Sequence, residues 1–173
     1  MPFWAEGAVF LAIRAARGSD LATILDIYND AVVTTTATFD TVPRSIEGQV
    51  AWLEEHGHPY PVIVWEEDGR VLGWGSLSPY HTRPAYRFTA EASVYVDKDA
   101  RRRGVGEALL RELVALGTGK GFHTLLDRIA EGNEASMRLA EKTGFRRTGT
   151  LEEVGSKFGR WLDVATYQYR LKP

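Results

Sequence analysis

Cysteine is missing from all 173 positions, and that removes several chemistries at once. No disulfide, cysteine-based zinc site or thiol nucleophile can form, so any acyl group the chain moves is not held as a cysteinyl-enzyme intermediate. Long apolar runs are missing too; none reaches the length that spans a bilayer. Neither sign of charge dominates: 21 Lys and Arg stand against 23 Asp and Glu, a net charge of −2. No global basic field recruits nucleic acid. The four histidines, at positions 56, 58, 81 and 123, lack tight ligand spacing, and no metal site is expected. The first ten residues, MPFWAEGAVF, are apolar but carry Glu6 and lack a basic start, unlike a secretory leader. The expectation is an N-terminal extension over 1–10 and a single domain over 11–173, long enough to bury a real core. A cytoplasmic location is the default that follows.

What is present centres on Thr89 to Leu116, TAEASVYVDKDARRRGVGEALLRELVAL. An apolar strand run ends in a charged turn. The turn leads into Arg101-Arg102-Arg103-Gly104-Val105-Gly106, and this loop opens into a segment of helical period with Val105, Leu109, Leu110, Leu113 and Leu116 on one face. Strand, glycine loop and helix N-terminus together make an anion site. The N–H groups of a first helical turn have no intrahelical partner, the helix dipole adds positive charge there, and glycine lets the backbone approach a phosphate. The loop lacks the GK[ST] of a P-loop, and Leu109 stands where G-x-G-x-x-G needs its third glycine.

Along the rest of the chain, Leu11 to Arg14 reads as a first strand and Ser19 as the N-cap of a helix reaching about Val32. Thr34 to Phe39 is β-branched and hydroxyl-rich, either a loop lining a site or a poorly helical connector. Ser45 caps a second helix with Ile46, Val50 and Leu53 as its buried stripe. Val62 to Trp65 and Val71 to Leu77 are strands around an Asp68-Gly69 hairpin turn. Gly73 and Gly75 inside the second of them suggest close approach by another element. Pro79 to Arg87 is a polar, aromatic loop, and Phe88 to Val96 is the central strand. Phe122 to Ile129 is the next strand; Asn133 caps a further helix that Gly144 stops. Val154 to Arg160 reads as a loop and Trp161 to Leu171 as the last strand. The order β-α-α-β-β-β-α-β-α-β implies a mixed α/β sheet with helices on both faces.

The loop R-R-R-G-V-G fits the pattern [QR]-x-x-G-x-[GA] of acyl-CoA N-acyltransferases, and with S-V-Y-V-D-x-x-x-R before it and G-x-x-L-L after it the chain resembles the GNAT superfamily. NDAVVTTTATF, FTAEASVYV, GNEASMRLAEKTGF and KFGRWLDV, in that order, are similar to its phosphinothricin, methionine sulfoximine and L-amino-acid N-acetyltransferase branch. The resemblance spans roughly Leu11 to Leu171. It implies the GNAT fold, a mixed sheet of about six to seven strands with a splay between the central ones. It also implies acetyl-CoA as cofactor, direct transfer of acetyl to the amine of a small amino-acid analogue, and a homodimer. The alternatives are another amine, such as a protein N-terminus or polyamine, or a catalytically silent acyl-CoA-binding domain.

By the same resemblance, the backbone of Val94, Tyr95 and Val96 pairs with pantetheine. Arg101, Arg102, Arg103, Gly104, Val105 and Gly106 take the pyrophosphate, and Asn133 and Ser136 complete the cofactor contacts. Glu91 is the expected base: a carboxylate in an apolar strand is costly to desolvate without a purpose, and an amine must lose a proton before it attacks. Arg87 is expected to hold the substrate carboxylate by its planar fork. It lies four residues before Glu91, where strand alternation would put both on one face; Arg83 and Arg160 are the rivals. Tyr86, Thr38 and Phe39 are the remaining substrate-site expectations. Two departures from the superfamily stand out. Ala140 occupies a position where many members have a tyrosine acid. Asp127 and Arg128 replace small apolar residues, and either pair with each other or reshape the pocket.

Overall fold

The computed structural model describes residues 11–171; the extension expected over 1–10 lies outside the described residues. The elements are β1 (Leu11–Ala15), α1 (Leu21–Thr34), α2 (Ile46–Glu54), β2 (Val62–Glu67), β3 (Arg70–Pro79), β4 (Thr89–Val96), α3 (Val105–Gly119), β5 (Thr124–Ala130), α4 (Glu134–Lys142), β6 (Arg146–Lys157) and β7 (Arg160–Arg170). The seven strands form one sheet in the order β1-β2-β3-β4-β5-β7-β6. Only β4 and β5 run parallel; every other neighbouring pair is antiparallel. The mixed sheet of six to seven strands, helices on both faces and splay are all present.

Strand alternation splits the core in two. On one face Trp74 of β3 packs with Ile24, Ile27, Tyr28 and Val32 of α1. On the other, Leu77, Ala90, Ala92 and Leu125 pack with Val105, Leu109, Leu110 and Leu113 of α3. The helix period read from Val105 to Leu113 is thus the stripe that docks on the sheet. Gly73 and Gly75 are what allow it to sit so close. A Cβ at Gly73 would lie 2.9 Å from Val105 and one at Gly75 would lie 3.0 Å from Leu113. The element expected to approach these glycines is α3.

The sheet opens at its centre. β4 and β5 pair only at Thr89↔Thr124, Ala90↔Leu125 and Glu91↔Leu126. Beyond Glu91, β4 keeps its partner on the β3 side through Val96↔Gly73, while β5 continues with β7 through Ala130↔Val164. The edge of β4 that faces β5 therefore has no strand partner from Ala92 onward.

Several local expectations change. Ser19 is not the cap of α1; a short 3₁₀ turn over Gly18–Asp20 precedes that helix. The buried Asp20 organises this corner, accepting the Arg17 N–H at 2.7 Å and two N–H groups of Arg14 at 2.7 and 2.9 Å. The Arg14 guanidinium holds the Asp20 carboxyl below the usual carboxylate range. Ser45 does cap α2, accepting the Gly48 N–H, but Ile46 and Val50 are exposed and Gln49 is the buried residue of that helix. The loop expected over 154–160 is mostly strand. β6 runs to Lys157, and the reversal needs only Phe158 and Gly159, both at positive φ.

Candidate active site

The gap between β4 and β5 is a cavity of about 500 Å³. One wall is Glu91 to Tyr95 of β4 with Leu110 of α3; a second is Asp127 to Ala130 of β5 with Asn133, Ser136 and Leu139; a third is Thr36 to Phe39 with Leu151, Val154 and Val164. Of the expected site residues, Thr38, Phe39, Glu91, Val94, Tyr95, Asn133 and Ser136 line it together.

The unpaired edge of β4 offers backbone groups to an extended, amide-bearing ligand by strand addition. At its end, Gly104 adopts φ +84 as the N-cap of α3, a left-handed conformation that glycine enters without a Cβ penalty. The first helical bond of α3 runs from the Ala108 N–H to the Gly104 carbonyl at 3.0 Å, so the N–H groups of Val105, Gly106 and Glu107 precede the helical ladder. Arg101 and Arg102 are exposed beside them, while Arg103 is tied to Glu67 by two contacts of 2.6 and 2.8 Å. A Cβ at Gly106 would meet Leu139 at 3.3 Å, so that glycine serves the α3–α4 approach. An amide chain ending in a pyrophosphate fits this strand edge, helix start and exposed arginine pair. The Asn133 side chain accepts the Ser136 N–H at 3.3 Å, so Asn133 is both the cap of α4 and part of the wall.

Glu91 does not stand alone. Its two carboxylate oxygens accept N–H bonds from the Arg128 Nε at 3.0 Å and Nη2 at 2.6 Å. Arg128 is about half exposed and Glu91 about one-fifth. The bond to Glu91 raises the guanidinium pKa further. Asp127 and Arg128 do not pair with each other, because alternation turns them to opposite faces of β5. Asp127 lies on the face of Leu125 and Ile129, towards α3 and α4. Burial, and after it the negative charge of Glu91, push the Asp127 carboxyl up to about 7. Burial also raises the Tyr95 phenol, which stays neutral.

The Thr36–Phe39 wall is fixed from behind. The Tyr28 hydroxyl donates to the Asp40 carboxylate at 2.5 Å and lies 2.9 Å from the Thr38 hydroxyl. Lys157, buried near the end of β6, donates to the Thr38 carbonyl at 2.8 Å. Phe39 lies over Gly155, where a Cβ would fall 2.1 Å from its ring. Tyr28, Gly155 and Asp127 were not among the expected site residues. A departure from the family pattern was the only signal that pointed to Asp127.

Arg87 and Tyr86 lie outside the cavity lining. Arg87 follows a 3₁₀ turn with helical φ and ψ, two residues before β4 begins, so strand alternation does not reach it and the shared face with Glu91 fails. Its guanidinium stacks 4.3 Å from the Phe88 ring centroid and donates weakly to the Pro84 carbonyl at 3.4 Å. Ala140 is fully buried in the core and offers no proton to the cavity.

Among known proteins, the sequence profile of the Acetyltransferase (GNAT) family matches residues 23–145. A methionine sulfoximine/methionine sulfone acetyltransferase of Pseudomonas paraeruginosa is 39% identical over 94% of this chain and 95% of its own. A phosphinothricin N-acetyltransferase of Streptomyces coelicolor is 39% identical over 94% and 97%. A phosphinothricin acetyltransferase of Sinorhizobium meliloti, solved in complex with acetyl-CoA, superposes with a TM-score of 0.90 at 34% identity, covering 93% of this chain and 88% of the other. With its splayed sheet and glycine loop matched along most of its length, the chain belongs to the GNAT acetyltransferase family.

Proposed function

We propose that this protein acetylates the amine of a small amino-acid analogue of the methionine sulfoximine, methionine sulfone or phosphinothricin type, with acetyl-CoA as donor. The observation that carries this reading is the opening between β4 and β5. It presents a free strand edge and a carboxylate to one cavity, and the glycine loop and α3 follow in the chain from the end of that strand. When bound, acetyl-CoA supplies an activated acetyl group and a thiol leaving group. Val94, Tyr95 and Val96 would hold its amide arm, the N–H groups at the start of α3 with Arg101 and Arg102 its pyrophosphate, and Asn133 and Ser136 its far wall.

Glu91 is the proton acceptor in this reading. It faces the cavity beside Arg128, and gives up one guanidinium bond to take a proton from the amine, directly or through water. The substrate carboxylate is assigned to Arg87, which stands outside the cavity lining but has its fork largely free among the described residues. The fork of Arg128 is filled by Glu91, whereas apart from the Pro84 carbonyl the N–H groups of Arg87 meet no protein acceptor among the described residues. Thr38 and Phe39, held in place by Tyr28 and Lys157, shape the side-chain end of the pocket. The reading includes a homodimer. Leu151, Val154, Phe158 and Trp161 all leave more than half their surface exposed on the last hairpin, and light scattering at micromolar concentration is the check. It also places the protein in the cytoplasm, where its cofactor is found; among the described residues no helix is long and apolar enough to cross a membrane.

Thiol release from acetyl-CoA is the test, with methionine sulfone, methionine sulfoximine, phosphinothricin, a polyamine and a peptide offered in parallel. Release is expected with the first three. Release with only the peptide or the polyamine would reassign the amine. CoA binding without release on any would mark an acyl-CoA-binding domain.

A further inference from the structure

Two carboxyl groups reach the cavity, and the sheet separates them. Glu91 projects to the α1 face with Arg128; Asp127 projects to the α3–α4 face between Leu125 and Ile129. Among the described residues no hydrogen bond or ion pair reaches the Asp127 carboxyl. The cation next to it in sequence, Arg128, is turned away and engaged by Glu91. The titratable groups around Asp127 are Glu91 and Tyr95 on β4, Arg128 on β5, and Tyr167, its partner across to β7. The Tyr167 hydroxyl is directed to Glu141. α3 and α4 present Leu110, Ser136 and Leu139 to the cavity. Burial without a partner strengthens the hold of the Asp127 carboxyl on its proton up to about neutrality, so a protonated carboxyl stands in the cavity wall on the face opposite Glu91.

Breaking a thioester leaves negative charge on sulfur, and a neutral acid beside it lowers the barrier. We propose that Asp127 is the general acid of this site, donating the proton on its Oδ to the sulfur that departs as the acetyl group is transferred. The inference rests on the acetyl-transfer reading above. Glu91 first takes the proton of the protonated amine; the freed nitrogen lone pair then forms the C–N bond and the C–S electron pair goes to sulfur. Sulfur receives the Asp127 proton, and the remaining N–H proton lost on amide formation passes to water. Exchange with water in the cavity returns both carboxyls to their starting states.

The test has two arms. In the first, the ligand-free wild-type chain labelled with ¹³C at Asp carboxyls is titrated by NMR. Asp127 is expected to titrate near neutrality, and a midpoint in the ordinary carboxylate range overturns the proposal whatever the enzyme does. In the second, Asp127→Asn is assayed with two donors, acetyl-CoA and the acetyl thioester of nitrothiophenol, whose thiolate is stable without a proton. The variant should lose ~10²-fold or more in kcat with acetyl-CoA and little with the aryl thioester. The wild-type fall in kcat above neutral pH should disappear, because an acid is active only while protonated. Equal losses on both donors, or wild-type turnover with acetyl-CoA, overturn the proposal. A wild-type chain that releases no thiol with any amine defeats the acetyl-transfer reading itself. An active wild type that fails either arm defeats Asp127 alone.

Discussion

The two long walls of the cavity are built by different means. The β4–α3 wall is a product of the core: Ala92 and Val94 stand against the buried stripe of α3, with Gly73 and Gly75 leaving no slack behind it. The opposite wall, Thr36 to Phe39 with the last hairpin, has little core beneath it. Single polar contacts from Tyr28 and Lys157 and the seat of Phe39 over Gly155 hold it. The difference assigns separate duties. In the proposed reading, the wall that is part of the core meets what every turnover shares, the donor. A wall held by a few replaceable contacts can change with the acceptor while the fold stays intact.

Substitutions in each wall can break or sharpen that division. The largest effect is expected where both duties meet, at Glu91. Glu91→Gln keeps the shape and removes the proton acceptor, and kcat/KM should fall ~10²–10⁴-fold, with partial recovery at higher pH, where the amine is already neutral. Steady-state rates from pH 6 to 10 check this; full activity at pH 7 would leave the amine proton to water. Arg87→Ala, at an exposed guanidinium, is expected to cost up to about 1 kcal/mol of substrate binding, as for an exposed ion pair. The loss should appear in KM for amines that carry a carboxylate and be small for any that do not. Equal losses on both would move the carboxylate to Arg83 or Arg160.

A third prediction attacks the core wall. Gly73→Val drives a branched side chain into Val105, Leu109 and the Tyr95 carbonyl. Overpacking of this kind costs about 1–3 kcal/mol, so urea unfolding should shift and CoA affinity by calorimetry should drop together. Asp127 yields a pH-dependent effect. Its pKa near 7 in the folded chain exceeds the ordinary value of about 4, so the native state binds this proton more tightly than the unfolded chain does. Stability is lost as pH rises between those values. Asp127→Asn should therefore melt progressively higher than wild type from pH 4 to 7, with a constant gap above. The mildest change is Gly155→Ala. Only the Phe39 ring has to move, so KM for the amine should change while the melting temperature and CoA affinity hold. A matching fall in stability would mean that both walls belong to the core.

The legible parts of the chain were those where burial writes a period. The stripe from Val105 to Leu113, the Asp68-Gly69 turn and the glycine loop could be read because each local pattern agrees with what packs on it. β6 could not. Its side chains are exposed from Arg146 to Val154, so no alternation of apolar and polar residues marks it. The stripe of α2 is not legible, because Ile46 and Val50 face solvent while Gln49 points inward, against the usual preference. Glu91 was found as a carboxylate in an apolar strand. Its partner lies 37 positions later, and only the pairing of β4 with β5 brings it near. Arg87 sits at the end of a turn, where the strand period of 2 does not apply.

The unpaired edge of β4 also bears on solubility. An exposed strand edge is a template on which other chains assemble, and proteins blunt such edges with bulges, charge or cover. Here the open edge is kept inside the sheet. α3 closes one side of it and β5 stands across the gap, leaving a slot where a single extended chain can lie but a second sheet cannot dock. The fold thus keeps a reactive row of amides available to one slender molecule while withholding it from aggregation. Any variant that loosens β5 and β7 from that position should reveal the hazard as precipitation before it reveals it as lost activity.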